Sequence, residues 1–133
     1  MSESLFPPAV RAGALTCLAI SAPAAVVQAS LSDSGETNQS NWVYLTLLAI
    51  VVAYLLGGAV AGRVATDAPM INGATATLVA FAVVQTVAAV FRIAGGDGIN
   101  PLALIFNALL AAAIGAVGGG IGAYVANRAR VNR

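Results

Sequence analysis

Four long apolar runs, separated by short polar breaks, take up nearly all of this chain. They decide its solvent first. A membrane-crossing helix takes about 20 mainly apolar residues. The runs at about 12–30, 42–62, 70–94 and 101–126 each supply that length. Of 133 residues, 59% are hydrophobic and 8% charged. A soluble domain carries about 25% charged residues, so a water-facing surface cannot be assembled here. Lipid offers the backbone no hydrogen-bond partners, which selects helices that satisfy themselves. The expected fold is a single all-α membrane domain, 1–133, of four transmembrane helices arranged as two in–out–in hairpins, with no room for a soluble domain.

The breaks have helix-ending chemistry. Pro7 and Pro8 precede the first run, where a fixed φ suits a helix start. Pro23 lies inside it, as lipid-embedded helices tolerate when neighbours satisfy the freed carbonyl. From Ser32 the sequence reads SDSGETNQSN, a polar, acidic loop carrying Asp33 and Glu36. Ser40 or Asn41 can cap the second helix, and Trp42 and Tyr44 suit the headgroup level. A short turn, Arg63 to Pro69, joins the second and third runs. Gly95-Gly96-Asp97-Gly98 ends the third, after which Asn100 caps the fourth and Pro101 takes its first position. Arg128, Arg130 and Arg133 form a basic tail. The first run also has a second reading as a signal peptide, with Arg11 as its basic region and Val27-Gln28-Ala29 as a small-residue cleavage site.

Arginine placement orients the chain. With the N-terminus inside, the inner side holds Arg11, Arg63, Arg128, Arg130 and Arg133, and the outer side only Arg92. The excess of basic residues marks the cytoplasmic side. The expectation is a multi-pass protein of the cell membrane with both termini cytoplasmic and the acidic loop outside. Arginine without lysine, amid abundant Ala, Gly and Val, is the residue usage of a GC-rich bacterial genome.

The second and fourth runs end alike. Leu56–Ala65 can be laid on Val117–Ala126 with paired glycines and a following Val-Ala in common, and Ala12-Gly13-Ala14 resembles Asn72-Gly73-Ala74. Two like hairpins would form a parallel tandem repeat about an axis along the membrane normal; shared small-residue bias is the other explanation. A repeat favours a first segment that stays attached. Gly58/Gly62, Gly115/Gly119 and Gly118/Gly122 are each four apart and share a helix face. Such small-xxx-small faces let helix backbones approach closely. A phosphate-cradling role would need a Walker-type lysine or a preceding strand, and neither is present.

Several kinds of chemistry are excluded by residue content. There is no His, and Cys17 is the single cysteine, so neither a disulfide nor a metal-ligand set can be assembled. No nucleophile has a base beside it, and no carboxylate pair falls at one membrane depth. A net charge of +1 is too small for a nucleic-acid surface. No cofactor is expected. Asp, Glu and Arg lie only at the ends of the runs, whereas proton-coupled carriers need a titrating group within the membrane. This separates the chain from the small multidrug transporters, which embed a Glu in their first helix. Uncharged polar residues do lie inside the runs: Thr16, Ser21, Gln28, Thr46, Gln85, Thr86 and Asn107. Gln85, Thr86 and Asn107 are the candidate polar path, because an amide facing lipid leaves its donors and acceptors unpaired. Hydrogen-bonded glue between helices is the plainer reading.

The stretch LLGGAVAGRVATDAPMING, Leu55 to Gly73, resembles a pattern in small four-helix bacterial membrane proteins of unknown function. The matching residues are Gly57, Gly58, Ala61, Gly62, Arg63 and Gly73, a Gly-Gly-x-x-Ala-Gly-Arg helix end with a glycine near the start of the next helix. The resemblance implies the four-helix plan and brings no activity with it. Taken together, these features point to a non-enzymatic structural or accessory membrane protein, packing with itself as a homo-oligomer or with a larger membrane-protein partner. Two alternatives stay open: a small oligomeric channel or permease, and a holin-like pore former.

Overall fold

The computed structural model describes residues 4–33 and 41–132. Four helices follow one another: α1 Pro7–Asp33, α2 Asn41–Val64, α3 Pro69–Ala94 and α4 Pro101–Val131. All four are long and apolar enough to cross a membrane, and no strand occurs among the described residues. The chain is an all-α, multi-pass membrane protein. Most of the expected polar loop, with Glu36 and the Ser40 cap, lies outside the described residues.

Two helices are longer than their apolar runs. α1 starts at Pro7, because Phe6 O accepts the first-turn amides of Ala9 at 2.9 Å and Val10 at 3.1 Å, while Pro7 and Pro8 have no amide to satisfy. It passes through Pro23 to Asp33. α4 continues beyond Ala126 to Val131, taking Arg128 and Arg130 into its last turn, where cations meet the negative end of the helix dipole. At 31 residues it is about 46 Å long, more than the roughly 30 Å of a bilayer's hydrocarbon.

The α3–α4 connection is capped on both sides. Gly96 takes φ +84°. Its amide reaches Ile93 O at 3.1 Å, and the Asp97 amide reaches Arg92 O at 2.8 Å, the paired bonds of a Schellman ending. Asn100 Oδ1 then accepts from the Leu102 and Ala103 amides at 3.1 and 3.2 Å, with Pro101 as the first helical residue.

The helices run up and down. α2 and α3 occupy the centre and touch each other; α1 packs on both from one side and α4 on both from the other. The interior is built of small side chains. Ala9, Ala14, Cys17, Ala53, Ala61, Ala76, Ala80 and Ala111 are buried, and Phe81 is the one large apolar side chain among them. Leu, Ile and Val face outward on every helix, as a chain solvated by lipid allows.

The α2–α4 contact has an internal two-fold relation. Gly58 lies against Gly115 and Gly62 against Gly119; reciprocally, Gly118 lies against Leu55 and Gly122 against Ala59. Matching Gly58 to Gly118 and Gly62 to Gly122 therefore exchanges the two helices and preserves these four contacts. The relation is confined to this helix pair: Gly13 and Cys17 of α1 pack on Gly57, whereas Gly73 and Thr77 of α3 pack on Gly115, two residues away from the equivalent of Gly57. The sequence match laid Gly58 on Gly119; the contacts lay it on Gly118, one residue away. Positions that lack a Cβ set this register, and letter-by-letter likeness in a glycine-rich run is blind to a one-residue slip.

One long-range fastening involves the fully buried Asn72. Its Oδ1 accepts the Phe6 amide at 2.8 Å, and its Nδ2 donates to Ala68 O at 2.8 Å and Ser4 O at 3.4 Å. The segment before α1 is thereby tied to the first turn of α3.

Candidate functional site

Residue size along α3 and α4 creates the site. Where both helices carry Gly or Thr, at Gly73, Thr77, Gly115 and Gly119, their backbones meet. Thr77 Oγ1 lies 2.9 Å from Ala111 O across the interface, and 2.9 and 3.2 Å from Ala74 O and Gly73 O on its own helix. Beyond this level the side chains grow and the helices part. Every residue of α4 from Pro101 to Leu110 is exposed except half-buried Ala108. The gap is a cleft of about 690 Å³ whose walls include Phe81, Gln85, Thr86, Arg92, Asn100 and Asn107. Its lining comes from α3, α4 and the residues just before α4, so it lies on the flank of the bundle between these two helices.

Gln85, Thr86 and Asn107, the three residues singled out from sequence, line this one cleft. Thr86 closes its hydroxyl onto Ala82 O of its own helix at 2.7 Å. Thr16 and Thr46 do the same, to Ala12 O and Val43 O. A hydroxyl reaches a carbonyl one turn back; the carboxamides of Gln85 and Asn107 make no such bond. No hydrogen bond within the described residues engages the side chain of Gln85 or Asn107. Gln85 is half-buried and Asn107 exposed. At 1.5 Å per residue, Gln85 lies about 13 Å from the Ala94 end of α3, and Asn107 about 9 Å from the Pro101 end of α4. The two helix ends are not level: counted from the Thr77–Ala111 contact, Gln85 lies about 12 Å along α3 and Asn107 about 6 Å along α4, one helical turn apart in depth and both below the exposed Arg92 at the mouth.

The cleft is not a path through the chain. Towards the Arg63–Pro69 turn it is closed by Thr77 and the glycine contacts, where even an added methyl group would strike backbone. All six glycines named from sequence, Gly58, Gly62, Gly115, Gly118, Gly119 and Gly122, are buried, and the contacts they make lie within the chain.

Comparison with models of protein families, with curated proteins and with solved structures finds no match. The cleft offers two amides, each donor and acceptor, one guanidinium and an apolar wall, with a volume in the range of binding clefts.

Proposed function

We propose that this protein is a non-enzymatic membrane subunit that docks a membrane-embedded protein partner in the α3–α4 cleft. The observation that carries this reading is the pair of unpartnered carboxamides, Gln85 and Asn107, in one cleft. An unpaired amide in hydrocarbon is costly, and a neighbouring helix supplies the missing bonds. The glycine faces build the body of the bundle, and the cleft beside them gathers polar side chains from two helices. Residue content supports the absence of catalysis, because no nucleophile–base pair and no ligand set can be assembled. The arginine bias supports cytoplasmic termini in a cell membrane. The Gly-Gly-x-x-Ala-Gly-Arg ending supports kinship with the small bacterial four-helix proteins.

Native mass spectrometry after mild detergent extraction tests this. The wild type should carry a protein partner, and a Gln85→Leu/Asn107→Leu variant should lose it while keeping its helicity. Isolated chains in both samples would sink the docking role.

A channel or permease is the second reading, favoured by three polar side chains in one cleft. Because a single chain is closed at Thr77, a conducting path would have to run between copies. Liposomes holding a pH-sensitive dye decide for protons: flux that depends on the protein and vanishes in Gln85→Ala or Asn107→Ala would replace docking with transport.

A further inference from the structure

We infer that the occupant of the α3–α4 cleft is a second copy of this chain, related by a two-fold axis along the membrane normal. This rests on the docking role proposed for the cleft and names the partner.

All copies inserted in one membrane share one orientation, and rotation about the normal leaves every residue at its own height. A two-fold contact through the cleft therefore brings Gln85 of one copy level with Gln85 of the other, and Asn107 level with Asn107. A carboxamide carries both donors and acceptors, so amides that meet themselves need no other chemistry. A face that is its own complement is what a two-fold contact requires.

Charge agrees with this. Arg92 and Asp97 stand at the same end of the cleft, one ending α3 and the other in the turn that follows. The two-fold offers each copy's cation the other copy's anion, so two guanidinium groups are not left facing alone. The apolar wall completes the fit. Leu104 and Ile105, 37% and 58% exposed, stand beside Ala103 and Ala108, whose small side chains leave hollows for knobs of the same kind. A lipid acyl chain could fill the volume, yet it would leave both amides without a partner. The opposite face of the bundle, on α1, presents Leu15 and Val26, which any lipid satisfies.

Disulfide cross-linking in native membranes tests the pairing. In a Cys17→Ala background, Ala103→Cys places a thiol in the cleft and Leu15→Cys places one on the far side of α1. Oxidation should join two copies through Ala103→Cys and leave Leu15→Cys as single chains. Adding Gln85→Leu and Asn107→Leu should cut the cross-linked fraction roughly tenfold, a size expected for several interhelical amide bonds lost together. Gel filtration in detergent confirms that each variant is folded. Equal cross-linking at both sites, or none at Ala103→Cys, overturns the inference. If Ala103→Cys instead joins a different membrane protein, docking stands and self-pairing falls. If it stays a single chain accompanied only by lipid, both fall.

Discussion

Thr77 of α3 directs its hydroxyl at the Ala111 carbonyl of α4, 2.9 Å away, at the level where the two helices begin to separate. The single hydroxyl proton is shared among three carbonyls, two of them on α3 itself. Thr77→Val keeps the shape and removes the donor. It should lower stability in mixed micelles by about 1 kcal/mol, the net worth of one such bond, and Thr77→Ser should recover most of that. Equal unfolding midpoints for wild type and Thr77→Val would show that steric fit alone holds this junction.

Gly62 and Gly122 should tolerate almost nothing. A Cβ on Gly62 meets the Gly119 backbone, and one on Gly122 meets the Ala59 backbone. Gly62→Ala or Gly122→Ala should each cost about 1–3 kcal/mol, and Leu at either position should reduce the folded yield sharply. Gly120 is the control, since its nearest foreign atom would be Met70 Cγ at 4.0 Å. Gly120→Ala should gain about 0.5–1 kcal/mol through backbone entropy. Thermal inactivation in detergent ranks the three, and an equal loss for Gly120→Ala would refute the assignment of contacts.

Asn72→Ala should release the segment before α1. It removes the acceptor of the Phe6 amide and the donor to the Ser4 carbonyl, an effect of about 1 kcal/mol for bonds made by exposed residues. Hydrogen exchange at Phe6 is the local readout. Protection there that survives the substitution would mean the segment is held by packing alone.

Reporter fusions after Arg133 and within Leu31–Asn41 should report the cytoplasmic and external sides respectively, following the arginine bias. An external C-terminus would reverse the topology.

The first segment should remain in the mature protein. α1 buries Ala9, Gly13 and Cys17 against α2 and α3, and cleavage would expose the small-residue faces it covers. Protein sequencing that begins at Ser30 would contradict this.

The helices were legible because apolar length in lipid admits little else, and the α4 cap was legible because Asn100-Pro101 is a local signal. Gln85 and Asn107 could be picked out as conspicuous amides in apolar runs. That they share a cleft follows from the parting of α3 and α4, which depends on side-chain size summed over two helices. Asn72 was hidden by its surroundings: beside Gly73 it reads as part of a small-residue run, and its partners Phe6 and Ser4 are more than sixty positions away. The extra turns at the ends of α1 and α4 rest on backbone bonds and charge–dipole effects to which hydropathy is blind.

An interior made of alanine and glycine reverses the usual asymmetry of mutation. In a water-soluble core, harm comes from deleting atoms, because a cavity is left behind. Here few buried side chains are large enough to be truncated, and the damage lies in adding atoms between touching backbones. Over generations the outward leucines and valines are free to interchange, while the inward positions can only stay small. Such a chain drifts quickly on its lipid face and holds a sparse two-letter alphabet inside, so its lineage is written in where the glycines fall more than in which large residues surround them.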